Sequence, residues 1–321
     1  MQVKLATYLK GLATYLPGAR KYFCSSSGGT VSARYCYAVW MRHQVMAYQA
    51  GLKHIDSIAE LGPGDSLGIG LCAILSGCKT YYGLDAKAHA NTERNRTILD
   101  ELVVLFRRRE PIPDIKEFPN VSPVLEDYSF PSYILTEEML NKSLHSDRIL
   151  AIHKALIDPQ SVTAVHISYI APWQQASLDG SEGGLDMVFS QAVMEHVEKV
   201  YETYSSLNRF LRPGGLMSHA IDYKSHGYTR DWNGHWTLSE FAWRILKGNR
   251  PYLINRLAHS DHIEALGKSG FQIISEIKKR GQILPRESLA IKFLSLAEDD
   301  LRTSGAFIQV LKPLACLANG L

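Results

Sequence analysis

The chain has 321 residues, 45% of them apolar, and a formal net charge of +3, the composition of a globular rather than a disordered chain, with too weak a field to require nucleic acid. Its densest basic cluster, Arg107-Arg108-Arg109, suits a helix C-terminus. Five cysteines without a C-x-x-C pair (Cys24, Cys36, Cys72, Cys78 and Cys316) and no apolar run near the roughly 20 residues of a membrane span lead to the expectation of a cytoplasmic protein, with Cys72 and Cys78 in its core.

Residues 1–50 read as a helical N-terminal cap, followed by one unit over 51–321. Leu5, Leu9, Leu12 and Leu16 share a helical face beside Lys4 and Lys10, a pattern that covers a core or a dimer partner and can also rest on a membrane surface. An aromatic-rich stretch from Tyr35 to Tyr48 ends at Gly51. Next, the apolar run Ile55 to Leu61, the turn Gly62-Pro63-Gly64-Asp65-Ser66-Leu67-Gly68 and the run Ile69 to Leu75 form a strand, a glycine turn and a helix. Such a turn lets a ligand lie on the main chain at the positive end of the helix. The spacing is G-x-G-x-x-x-G with Glu60 two residues ahead, which differs from the dinucleotide fingerprint and points away from NAD.

A second strand, Thr80 to Leu84, ends at Asp85, placed to receive two ribose hydroxyls. Residues 87 to about 160 are too long for a plain crossover. They hold a helix near Thr92 to Arg109, a link through Pro111, Pro113, Pro119, Pro123 and Pro131, and helical patterns from Glu137 to Leu156; a lid or dimerisation element is expected, and with it a possible homodimer. Strands follow at Val162 to Ile170 and Leu185 to Ser190. A helix carries Val197, Val200, Tyr201, Tyr204, Leu207 and Leu211 on one face, stops at Arg212-Pro213-Gly214-Gly215, and leads to a strand from Leu216 to Ile221. Asp261 with Glu264 predicts a capping box for a helix to Lys268. Phe271 to Ile274 and Ala306 to Leu311 read as the last strands, separated by a helix from about Glu287 to Leu301.

Together, the glycine turn, Asp85, the D-x-V-x-S strand, Glu195-His196-Val197 and R-P-G-G resemble class I S-adenosylmethionine (SAM) methyltransferases. The resemblance implies an α/β Rossmann-like fold with a seven-stranded, mostly parallel sheet and an antiparallel last strand. It also implies SAM as cofactor, with its methionine part on Gly62, Pro63 and Gly64, its ammonium group oriented by Glu60 and its ribose on Asp85. The third strand leads to Ala171-Pro172-Trp173 without an acid, so adenine contacts near Ala171 and Pro172 would be apolar or through backbone. Ser190 and Gln191 should lie beside the methyl group. Asp222-Tyr223-Lys224-Ser225-His226 with Asn255 to Asp261 looks like the post-core segment of bacterial methyltransferases associated with sugar or glycan modification.

For an oxygen acceptor the enzyme must remove a proton, and imidazole is the natural base at neutral pH. His226 is read as that base, Asp222 as its orienting acid and His196 as the rival, with His219 structural. Arg256 could clamp an acidic group, Asn255 belongs with it, and Trp232, Trp236 and Trp243 offer stacking surface. Asp222, His226 and His196 could gather a divalent ion, but without a pattern such as H-x-x-x-H no metal is assigned. The acceptor is expected to be a small polar molecule such as a sugar or glycan precursor. The alternatives are N-methylation of a small amine and a SAM-binding regulatory subunit without turnover.

Overall fold

A computed structural model describes residues 3–16, 29–173 and 183–314; Cys24 and Cys316 lie outside the described residues. In chain order the larger elements are α1 (Leu5–Ala13), α2 (Ala33–Gln49), β1 (Ser57–Leu61), α3 (Gly68–Leu75), β2 (Thr80–Leu84), α4 (Thr92–Arg107), α5 (Glu137–Ser143), α6 (Ser146–Ile157), β3 (His166–Ile170) and β4 (Leu185–Gln191). Then come α7 (Val200–Phe210), β5 (Leu211–Asp222), α8 (Glu240–Lys247), α9 (His259–Lys268), β6 (Gln272–Arg280), α10 (Glu298–Arg302) and β7 (Thr303–Leu311).

The seven strands form one sheet in the order β3-β2-β1-β4-β5-β7-β6. β7 runs antiparallel to both β5 and β6, while β3, β2, β1, β4 and β5 pair in parallel. Alternate residues therefore serve two cores. Ile58, Met187 and Phe189 face the cluster built by α2, α3 and α4, and Ala59, Leu185 and Val188 face the one built by α7 and α9. All parallel strands end at the same edge, which gathers the ends of β1, β2, β3, β4 and β5 in one place.

Tight packing explains one glycine in particular. A Cβ on Gly70 would lie 2.1 Å from the Tyr81 ring, so the α3–β2 contact admits no side chain there. Cys36, Cys72 and Cys78 are buried free thiols.

Helix α2 sits inside the main core, with Tyr37, Trp40 and Met41 fully buried. The long insertion packs onto it. Buried Arg42 donates to the carbonyls of Ala38, Pro113 and Pro123 at 2.8, 2.7 and 3.0 Å, and Arg34 pairs with Glu110 and Glu117. Val121, Leu125, Leu135, Leu140 and Ile152 from the insertion join the same cluster as Trp40. Helix α1 instead lies against α8, with Gly11 close to the carbonyls of Ile245 and Leu246, and its residues Leu5, Leu9, Leu12 and Leu16 face outward. No helix among the described residues is long and apolar enough to cross a membrane.

Three sequence expectations are corrected. The third strand begins at His166 and Val162 is fully exposed, because pairing with β2 starts at Thr80. The helix expected over 287–301 is two short 3-10 turns and α10: the Arg286 guanidinium takes the carbonyls of Leu294 and Leu296, and the Ala290 N–H goes to Trp236, so the helical ladder loses its groups to tertiary partners. The capping acid of α9 is Asp261, but it reaches back to the Ala258 N–H at 2.7 Å, so the helix starts three residues earlier.

Asp186, on β4, ties three segments together. Its Oδ2 accepts from the N–H groups of Asp56 and Ser57, both at 2.9 Å, and its Oδ1 accepts from Arg212 Nε at 2.6 Å. Burial alone would raise this carboxyl; the Arg212 and backbone hydrogen bonds outweigh it and hold the group below the usual carboxylate range. Asp186→Ala is expected to cost about 3 kcal/mol in urea unfolding, since it strands two backbone donors and a guanidinium. A depressed acid stabilises the fold above its unfolded pKa, so the gap between wild type and variant should be full above about pH 4 and shrink as the pH falls further. An unchanged urea midpoint at neutral pH would refute the tie.

Candidate functional site

The glycine turn follows β1, and its geometry needs the glycines. Gly62 and Gly64 have φ of 64° and 75°, in the left-handed region that disfavours a Cβ. A Cβ on Gly62 would also meet Val193 Cγ2 at 2.7 Å. The Gly62 N–H is held by the Leu84 carbonyl at 2.8 Å, and the Gly64 N–H points at Asp85 Oδ2, 3.3 Å away. The turn after β1 and the acid after β2 thus face one another. The amides of Ser66, Leu67 and Gly68 are capped from within by Thr30, Asn95 and the Ser66 hydroxyl.

Asp85 also accepts from the Ala86 N–H at 2.7 Å, and its own N–H binds the Ile170 carbonyl. Burial raises its pKa, with the N–H groups of Ala86 and Gly64 opposing. Beside it, Tyr169 Oη lies 3.4 Å from Asp85 Oδ2 and accepts the His89 N–H at 2.9 Å. Ala171 and Pro172 follow β3 directly, and the Trp173 N–H returns to the Asp85 carbonyl at 2.6 Å. The segment Ala171-Pro172 and the Asp85 carboxylate therefore lie side by side. Glu60 is elsewhere: it is 2% exposed and its Oε2 accepts the Tyr81 hydroxyl at 2.7 Å. Burial pushes it up to about 8. In this position it braces the turn from within the core.

The second half of the site stands at the ends of β4 and β5, which neighbour β1. Residues Met194–His196 form a single 3-10 turn one step after Val193, so the contact of Val193 with Gly62 joins the two halves. Asp222 closes β5, and His226 sits four residues on with φ of 49°, a left-handed conformation that costs a non-glycine residue free energy. His226 Nε2 lies 3.6 Å from Asp222 Oδ2 and 3.9 Å from Glu195 Oε1. Its ring meets that of His196 edge to face, with centroids 5.1 Å apart. Burial opposes ionisation of Asp222, but the His226 ring and the Lys224 N–H prevail and bring it down to about 2. Burial pushes Glu195 up to about 8, and His196 is lowered to about 4 by burial and by His226.

Sequence reasoning passed over Glu195 as part of a pattern. A glutamate in a polar turn reads as solvated, yet this one is 2% exposed. The only signal was its place directly before His196, at the end of the strand neighbouring β1.

The other candidates separate. Ser190 is fully buried and its Oγ pairs with His219 Nδ1 at 2.8 Å, so both serve the core. Gln191 lines a cavity of about 140 Å³ together with Tyr35, Asp222, Lys224 and Lys279. Asn255 spends its amide on the carbonyls of Met194 and Val197, both at 2.9 Å, and its N–H on the Glu195 carbonyl at 2.7 Å; it clamps the turn that carries Glu195 and His196. The Arg256 guanidinium is buried, donates to the Leu238 carbonyl at 2.5 Å and stacks on Trp243 and Phe293, and burial lowers it to about 10. Trp232 covers Gly281 and donates to the Gln282 carbonyl, while Trp236 and Trp243 are buried. The tryptophans thus build local cores in place of the expected stacking platform, because each indole packs against residues brought in from other segments.

No family model and no curated protein matches the chain. Among solved structures it is similar to a SAM-dependent methyltransferase from Methanosarcina mazei, at 13% identity over 81% of this chain and 93% of that one, with a TM-score of 0.42. A SAM-dependent methyltransferase from Mesorhizobium loti gives 15% identity, 83% and 96% coverage and a TM-score of 0.38. Phosphoethanolamine N-methyltransferase 2 from Haemonchus contortus, solved with phosphomonomethylethanolamine and S-adenosylhomocysteine, gives 14% identity, 85% and 53% coverage and a TM-score of 0.40.

Proposed function

We propose that this chain is a SAM-dependent methyltransferase that acts in the cytoplasm on an oxygen of a small polar acceptor, such as a sugar or glycan precursor. The observation that carries the reading is the approach of Asp85 to the Gly64 N–H at 3.3 Å, which sets a carboxylate across from a glycine turn at the ends of adjacent parallel strands. The residues fit the cofactor: Asp85 for two ribose hydroxyls, residues 62 to 64 for the methionine part, Ala171 and Pro172 as an apolar floor for adenine. SAM, when bound, supplies an electrophilic methyl group.

The protein's share is orientation, exclusion of water and proton removal. His226, whose Nε2 faces Asp222 and Glu195, is the group that takes the acceptor proton, on its other ring nitrogen. His196 and Glu195 form the wall behind it, and Gln191 and Asp222 line the 140 Å³ cavity.

Calorimetry with SAM and with NAD, followed by mass spectrometry of glycan and small-molecule extracts, tests the proposal. A micromolar Kd for SAM, none for NAD, and an acceptor that gains one methyl at oxygen are expected. Absence of SAM binding, or a methyl found only on nitrogen, would overturn it.

A further inference from the structure

Neither carboxyl oxygen of Glu195 has a hydrogen bond of good geometry among the described residues, with only the N–H groups of Glu195 itself and Asp222 turned toward it, although it is 2% exposed. His196 Nδ1 is likewise buried without one. A carboxyl group stripped of water and poorly hydrogen-bonded is costly in either protonation state, and native structures seldom keep one without a ligand, ion or water to answer it. Around it, one ligand atom each from Glu195, His196 and His226 lies within 4.8 Å of the others. The three grade from buried through half-buried to exposed, so the cluster has a closed back and an open front. Asp222 Oδ2, 3.6 Å from His226 Nε2, stands beside it.

We infer that Glu195, His196 and His226 form a binding site for one divalent transition-metal ion, with Asp222 holding the outermost imidazole and the open side facing the acceptor. Two imidazoles and a carboxylate are the donor set that Zn²⁺, Mn²⁺, Fe²⁺ and Co²⁺ accept, and three protein ligands leave a position for substrate. Metal–ligand bonds of about 2.0 to 2.2 Å require the three groups to draw together by about an ångström, a motion within reach of side-chain rotation. The backbone under them is fixed where it matters, since Asn255 clamps the Met194–His196 turn. The ion would lie where the acceptor hydroxyl is expected, and only this link rests on the methyl-transfer reading. There it would acidify the hydroxyl, whose proton leaves to solvent, and His226 would act as a ligand in place of a base.

The test uses metal-stripped full-length protein without SAM, titrated with Co²⁺ and followed by its visible absorption, then competed with Zn²⁺. One bound Co²⁺ per chain, displaced by Zn²⁺, is expected. Glu195→Gln and His226→Asn should each weaken binding by about a hundredfold or more, whereas His153→Ala, on the far helix α6, should leave it unchanged. His226 lies on an exposed loop, so its variant remains informative if Glu195→Gln fails to fold. Lack of stoichiometric binding, or wild-type affinity in both variants, overturns the inference. SAM calorimetry on the same sample separates the two readings: SAM binding without metal binding removes only the ion site, and metal binding without SAM binding removes only methyl transfer.

Discussion

Asp85→Ala is expected to raise the Kd for SAM by about a hundredfold to ten-thousandfold. A hydrogen bond between a carboxylate and a hydroxyl is worth about 1.5 to 3 kcal/mol, and a ribose offers two hydroxyls; each 1.4 kcal/mol is a factor of ten. The loss has a second source, because Asp85 Oδ2 faces the Gly64 N–H and Oδ1 accepts from Ala86, so the alanine also loosens the turn that would carry the methionine part. Stability should respond very differently. Burial raises the pKa of Asp85, which means that the ionised form weighs against the fold at neutral pH, and removing it offsets the hydrogen bonds lost. Calorimetry and thermal unfolding on one preparation decide the matter. A Kd within threefold of wild type would remove Asp85 from the cofactor site, and a collapse in Tm would assign it to the fold.

His226→Ala is expected to lower kcat by about a hundredfold to ten-thousandfold with the Kd for SAM unchanged, the range for loss of a group that handles the proton in the transition state. Alanine at φ of 49° is itself strained, so His226→Asn, which tolerates the left-handed region, is the cleaner variant. Both should show the same fall. The parallel change at His219 should behave as a core defect: it is buried against Ser190, so loss of Tm without a selective loss of kcat is the expected result. Retention of kcat within threefold in His226→Asn would exclude the residue from the chemistry.

Much of the scaffold was legible in the chain because its signals are local. A short apolar run followed by G-P-G and a second apolar run has few foldings other than strand, turn and helix, and β1, α3 and β2 lie where the pattern put them, β1 two residues shorter. Asp85 and the turn also met as expected. Proline and glycine at 213–215 did not end at a clean strand start: β5 begins at Leu211, and Arg212 to Gly215 loop out between the Leu185–Leu211 and Met187–Leu216 pairs. The polar calls that depended on loops fared less well. Asn255, Arg256 and the tryptophans carry the right chemistry for a substrate, but their donors and faces are spent on carbonyls and neighbouring rings.

By itself, then, the sequence determined the alternation of strands and helices, the place of the glycine turn and the acid that meets it, since those follow from periodicity, backbone freedom and short range. Only the tertiary structure decided which polar groups are answered by the protein and which are not. Glu60 and Glu195 are both glutamates at strand ends, and both are buried. Glu60 accepts the hydroxyl of Tyr81, twenty-one residues away, whereas Glu195 meets two imidazoles and, among the described residues, no side-chain donor of good hydrogen-bond geometry. That difference depends on which chains cross in space, and desolvation with or without a partner is set by the crossing.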